Sequence, residues 1–130
     1  MARAHSLALT VQQLDTDSTV LVRRAVTISD TTPPTVGEMR VGVLTDNTQT
    51  TVNLPITQVR HLYLKNLDTV AKYTVVWTPT TGSQATILIL DPGGAIAFWH
   101  TTTGSTYGIS GLKITSDTSK TQYYELFIGG

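Results

Sequence analysis

Residues 87–104 read ILILDPGGAIAFWHTTTG, and their reading decides the fold. A glycine pair, two adjacent aromatics and a histidine side by side admit two interpretations. In one, Trp99 is a stacking platform and His100 a ligand or base. In the other, the stretch is two strands and a turn whose aromatics pack. The second follows from the local chemistry. ATILIL is a nearly continuous apolar run, the pattern of a strand covered on both faces. In DPGG the proline is pre-set for a turn and the glycines are free to take positive φ. AIAFWH then alternates, with Ile96 and Phe98 on one face, Trp99 on the other, and His100 back on the first near the strand end. A hairpin is expected here.

The same period of two runs outward in both directions. Leu7, Leu9 and Val11 alternate with Ser6, Ala8, Thr10 and Gln12, predicting a first strand over about 6–13 with one buried face. Asp15, Asp17 and Ser18 supply turn chemistry. In TVLVRRAVTI, Val20, Val22, Val26 and Ile28 share one parity. Arg24 falls on that same parity, the position of a bulge, a core edge or a side chain snorkelling from a sheet rim. SDTTPPTVG is a loop, because Pro33 and Pro34 cannot donate to a ladder. Met39, Val41 and Val43 alternate, TDNT turns the chain, and Thr50, Val52 and Leu54 alternate before Pro55, which predicts a second hairpin. Leu62 and Leu64, and then Tyr73, Val75 and Trp77, mark two more strands joined by NLDTVA. TPTTGS breaks the next boundary. Gly104, Gly108 and Gly111 punctuate the later chain, and LKIT and YYELFI close it as two strands. No apolar period of 3.6 persists between caps, so no helix is expected.

Composition agrees with this pattern. Threonine makes up about a fifth of the 130 residues, and valine and isoleucine are plentiful, side chains that favour extended backbone. Nine or ten short strands without a repeat predict an all-β protein. An antiparallel two-sheet sandwich, jelly-roll-like or Greek key, accommodates them best, with a closed barrel as the alternative. The expected organisation is an N-terminal arm over 1–6 and a single β-sandwich domain over 7–130. Cysteine is absent, which excludes disulfides and thiolate metal sites. Formal net charge is zero and charged residues are 14% of the chain, against about 25% in an average soluble protein. No broad field exists to attract a phosphate backbone or anionic lipid, so neither nucleic acid nor membrane is an expected partner. MARAHSLALTVQQL lacks the uninterrupted apolar region of a signal peptide, and no apolar run reaches the ~18 residues of a membrane helix.

Catalytic and metal chemistry find little purchase. His5, His61 and His100 have no close sequence partner, whereas a zinc site needs three or four converging ligands. Asp15 and Asp17 in LDTDST resemble the start of a calcium loop, but the later glycine and bidentate glutamate are missing. Ser110 in YGISGLK has glycines at the wrong spacing for a nucleophile elbow. No phosphate loop or dinucleotide fingerprint occurs. The expectation is no catalytic residue, no cofactor and no metal. Arg23 and Arg24 are adjacent and point to opposite faces of an unbulged strand, with Arg3 close to the N-terminus.

LYLKNLD (62–68), KYTVVW (72–77) and LILDPGGAIAFW (88–99), followed by a Gly-rich stretch and a final apolar strand, resemble in order a group of small all-β virion proteins of tailed bacteriophages. DPGGAIAF departs from the more acidic turn of that group. The resemblance implies a non-enzymatic capsid decoration or cement protein of the phage head surface, with a tail or head-fibre component as the alternative. In it, Lys65, Asn66 and Asp68 are turn and strand-end residues whose Asn and Asp accept local backbone hydrogen bonds. The implied partners are the major capsid protein and the chain itself, as a homotrimer. Met1, Ala2, Arg3, Ala4, His5 and Ser6, together with Arg23 and Arg24, are the expected contact residues. A different class of function, glycan binding, would use Trp77, Trp99, Tyr107, Tyr123 or Tyr124 as exposed stacking platforms.

Overall fold

The computed structural model describes residues 4–29, 34, 36–81, 84–100 and 108–130. Met1, Ala2, Arg3, Pro33, Gly104, Tyr107 and the side chain of Val22 lie outside the described residues. The protein is all-β, with ten strands and no helix among the described residues: β1 (Ser6–Leu14), β2 (Val20–Ser29), β3 (Gly37–Leu44), β4 (Thr50–Thr51), β5 (His61–Asn66), β6 (Tyr73–Pro79), β7 (Thr86–Leu90), β8 (Ala95–Trp99), β9 (Ile109–Ser116) and β10 (Gln122–Gly129).

The strands form three antiparallel sheets. Among the described residues β1 and β2 pair only with each other, as a ribbon. A front sheet has the order β3-β10-β5-β8 and a back sheet the order β4-β9-β6-β7. Within the last eight strands the pairing is nested: β3 lies beside β10, β4 beside β9, β5 beside β8 and β6 beside β7. The ladders β5–β10 and β6–β9 complete the two sheets.

Period two then builds the core. From the front sheet, Leu44, Leu62, Leu64, Tyr124, Leu126 and Ile128 point inward; from the back sheet, Tyr73, Val75, Leu90, Leu112 and Ile114 do so. These side chains form one buried cluster between the sheets, a sandwich-like arrangement, with Trp77, Ile96 and Phe98 packed partly buried against it. The faces that the sequence pattern groups together on β5, β6 and β8 are the ones that turn inward.

One buried side chain fastens the two sheets at an end. Asn66, the last residue of β5, donates through Nδ2 to the carbonyls of Ala71 (2.7 Å), Leu90 (3.3 Å) and Asp91 (3.2 Å). Its Oδ1 accepts the Asp68 N–H at 2.9 Å, and Asp68 Oδ1 in turn accepts the N–H groups of Val70 and Ala71, each at 2.7 Å. Those backbone donors hold the Asp68 carboxyl below its ordinary pKa. The turn role expected of Asn66 and Asp68 is therefore present.

Three expectations are corrected. Residues 87–99 are not a hairpin: β7 pairs with β6 in the back sheet and β8 with β5 in the front sheet. The Asp91–Gly94 turn is real, closed by Gly94 N–H to the Asp91 carbonyl at 2.8 Å with Gly93 at φ 73°, but it carries the chain from one sheet to the other. For the same reason β3 and β4 are not a hairpin; they lie in different sheets on either side of Thr45–Gln49. Finally, β7 is not covered on both faces. It is an edge strand, and Ile87 (67%) and Ile89 (62%) face outward in the solvent. A short apolar run fixes a strand but not the number of its covered faces.

Candidate interaction surface

The β1–β2 ribbon has an apolar face that its own body does not cover. Cross-strand register places Leu7 opposite Ile28, Leu9 opposite Val26 and Val11 opposite Arg24, and directly opposed residues share a face. Exposure climbs along that face away from the body: Leu7 and Ile28 are half-buried, Leu9 is 44% exposed and Val11 69%. The buried face expected for the first strand is therefore corrected. Alternation specifies which side chains lie together, and among the described residues nothing packs closely on them beyond the first pair. The far end closes through Asp15, whose Oδ1 accepts the N–H groups of Asp17 (3.1 Å) and Thr19 (2.9 Å), with Ser18 in left-handed backbone at φ 67°. A side-chain hydrogen bond with Asp17, and then the Thr19 N–H, lower the Asp15 pKa. Asp15 and Asp17 thus serve a turn.

The ribbon is rooted by His5 on the outer face of the front sheet. Two glycines, Gly37 on β3 and Gly129 on β10, are cross-strand partners there. A Cβ at Gly37 would lie 2.5 Å from His5 Nε2, and one at Gly129 2.7 Å from His5 Nδ1, so the imidazole occupies the space that two side chains would fill. His5 Nδ1 lies 3.0 Å from His61 Nδ1, and one of the two nitrogens must donate while the other accepts. His61 is fully buried, stacks on Trp99 with ring centroids 4.2 Å apart, and places Nε2 3.1 Å from the His100 carbonyl. Phe127 meets His5 edge to face and Trp99 in parallel, at 5.3 and 5.7 Å. Sequence reading kept the three histidines apart, because His5 and His61 are 56 residues distant. The glycine pair that admits His5 was the signal available, and only register shows that the two are neighbours.

Beyond this root the outer face of the front sheet stays open. Met39 (62%), Val41 (59%), Val43 and Tyr123 project from β3 and β10 into solvent. Glu125 lies between Val41 and Lys65 on the same face. Beside it, burial first and then the Glu125 carboxylate raise the Tyr63 pKa. A shallow cleft of about 210 Å³, lined by Ser6, Leu7, Met39, Tyr63, Trp99 and Phe127, joins the foot of the ribbon to this face. A larger cleft of about 360 Å³ lies between Thr51–Thr57 and Ser110–Gly111 and is lined by no ionisable side chain.

The expected contact residues divide accordingly. Ala4, His5 and Ser6 form the root, with His5 packed rather than extended into solvent. Arg23 and Arg24 are both exposed on β2 and project from opposite faces of the ribbon, Arg24 from the apolar one. Of the aromatics considered as glycan platforms, Tyr124 is buried, Trp77 packs on the core, Trp99 is stacked between His61 and Phe127, and Tyr123 is exposed. The Ser110 hydroxyl donates to the Pro79 carbonyl at 3.2 Å. Among the described residues no three His, Asp or Glu side chains gather where they would hold a metal ion. Comparisons with protein-family models, curated proteins and solved structures find no match for this chain.

Proposed function

We propose that the protein is a non-enzymatic structural component of a tailed-bacteriophage virion, a decoration or cement protein. On this reading it binds the outer surface of the assembled head, ties major capsid subunits together and associates with itself as a trimer. The observation that carries the proposal is the ribbon with its uncovered apolar face beside a second open apolar sheet face. Exposed apolar patches of this extent mark association surfaces. A neutral body with its own core suits a part made in many copies that folds alone and gains stability by repeated contact. The nested strand pairing also supports reading the eight-stranded body as a jelly roll, an architecture used in viral capsids and lectins. Tail or head-fibre placement uses the same surfaces. Glycan binding is the weaker reading, because most of the candidate aromatics are engaged with their own neighbours.

Mass spectrometry of the purified particle made by the phage that encodes this chain tests the assignment. The protein is expected at a fixed stoichiometry to the major capsid protein, and it should rebind and co-sediment with particles depleted of it. Absence from the particle overturns the proposal.

A further inference from the structure

We propose that the β1–β2 ribbon is an exchange arm completed by a second copy of this chain: its apolar face lies on the outer face of the front sheet of a neighbour, over Met39, Val41, Val43 and Tyr123. This deepens the self-association in the reading above, and it concerns the free protein, so its test is independent of whether the chain enters a virion.

The ribbon poses the problem. An isolated two-stranded hairpin is marginal in water, yet this one runs nine residue pairs with Leu9, Val11 and Val26 bare on one side. The front sheet poses the complementary one, a row of large apolar side chains on an outer face next to an unpaired edge, β3. Packing arms against arms would cover the first surface and leave the second bare. Laying an arm on a neighbouring sheet covers both at once. Charge does not oppose it: Arg24 is the one ionised side chain described on that arm face, and the receiving face sets Glu125 beside Lys65 and so carries no excess of either sign. The surfaces are also continuous, since the cleft between Leu7 and Met39 already joins the arm's foot to the sheet.

Area decides how the contact closes. Nine residues at ~3.4 Å by two strands ~4.8 Å apart give an arm face of about 300 Å². One docked arm therefore removes about 600 Å² in total, below the ~1,200 Å² at which stable interfaces begin. In a reciprocal pair the single interface holds two docked arms and removes about 1,200 Å², whereas in a ring of three each of the three contacts removes about 600 Å² and about 1,800 Å² is removed in all. The assembly must then close, as a reciprocal pair or a ring of three, because an open chain leaves one arm and one face uncovered.

Light scattering after size exclusion, with the full chain across a concentration series, measures this. The expected mass is a closed multiple of the chain. Val11→Glu on the arm and Val41→Glu on the sheet should each weaken association about ten-fold or more, since the first replaces an apolar contact by a carboxylate that neutralises Arg24 beside it, the second sets a carboxylate against Glu125, and either must be stripped of water in the contact. Near-UV circular dichroism should be unchanged, because both positions are exposed in the single copy. Mixing the two variants should restore part of the association, as the arm of the Val41→Glu chain and the face of the Val11→Glu chain are both intact. A wild-type monomer at the highest soluble concentration overturns the proposal. So does a Val41→Glu chain that associates like wild type while Val11→Glu does not, which is the result expected of arms paired with arms.

Discussion

Replacing Asn66 tests whether the two sheets are fastened by one buried amide. Asn66 is inaccessible to solvent, and its Nδ2 faces three carbonyls at 2.7–3.3 Å while Oδ1 takes the Asp68 N–H. Asn66→Ala removes two donors and an acceptor. A buried polar group left unmatched costs roughly 1–3 kcal/mol, and the Asp68 N–H lies close enough to the surface to find water, so the loss should be about 3 kcal/mol. Asn66→Asp is nearly isosteric and more informative. It places an oxygen where Nδ2 was, against three carbonyl oxygens. The ionised form is strongly disfavoured, so the folded-state pKa of this aspartate must rise above its unfolded value of about 3.9. A raised pKa means that the folded protein binds the extra proton. The stability of the variant relative to wild type is then retained below the unfolded value and lost as pH rises through the folded one. Urea denaturation followed by tryptophan fluorescence at pH 4 and pH 7, each referred to wild type at the same pH, measures it. Asn66→Asp should be the worse variant at pH 7 and recover at pH 4, with Asn66→Ala unchanged between them. An Asn66→Ala cost below about 0.5 kcal/mol, the range of ordinary surface substitutions, or an Asn66→Asp deficit independent of pH, refutes the fastening.

Two further outcomes follow from the core. The Tyr73 hydroxyl donates to the Tyr123 carbonyl at 2.8 Å, and burial, then the Asp68 charge, push its pKa up to about 12. Stability should therefore hold up to the ordinary tyrosine value of about 10 and fall as pH rises from there through 12. Tyr73→Phe should flatten that decline without abolishing it, because Tyr63 and Tyr124 are raised as well; denaturation at pH 9 and 11.5 distinguishes a flattened slope from an unchanged one. Gly42 lies opposite Tyr124, whose ring occupies the space of a Cβ at Gly42. Gly42→Ala should cost about 1–3 kcal/mol by overpacking, and markedly less in a Tyr124→Leu background; equal costs in both backgrounds would show that the ring is not the obstacle.

Strand-level structure was legible because alternation is a local property. Leu62 and Leu64, Tyr73 and Val75, and Ile96 and Phe98 all face inward as their spacing requires. Connections were not legible in the same way. Thr45–Gln49 and Asp91–Gly94 have the composition of hairpin turns, but a turn sequence states that the chain changes direction and not whether it returns to the same sheet. Both changes of sheet were missed for that reason. Ile87 and Ile89 were missed because a buried strand and an apolar edge strand share one pattern until the neighbours are known. Asn66 was legible as an acceptor of a local backbone N–H, whereas two of its three donor contacts are to Leu90 and Asp91, 24 and 25 residues away. The site followed the same division. An arm was expected near the N-terminus, but Leu7, Leu9 and Val11 have the pattern of core, since an uncovered apolar face and one turned to the interior use the same residues.

That ambiguity bears on how one molecule keeps a closed core beside an uncovered apolar surface. The core between the front and back sheets closes without the ribbon, since every residue of the buried cluster comes from Leu44 onward. The body can then fold before the arm has a partner, and the arm's apolar side chains are gathered into one face only when the ribbon is paired. His5 constrains where that face goes. Its imidazole fills the space above Gly37 and Gly129, so the ribbon leaves the front sheet at a fixed place, beside the apolar row it resembles chemically but does not cover. A flexible tether would let the arm fold back on Met39 and Val41 and satisfy itself. An arm held at its root leaves both surfaces open, and for the exchange proposed above the cost of ordering it is met before any second copy binds.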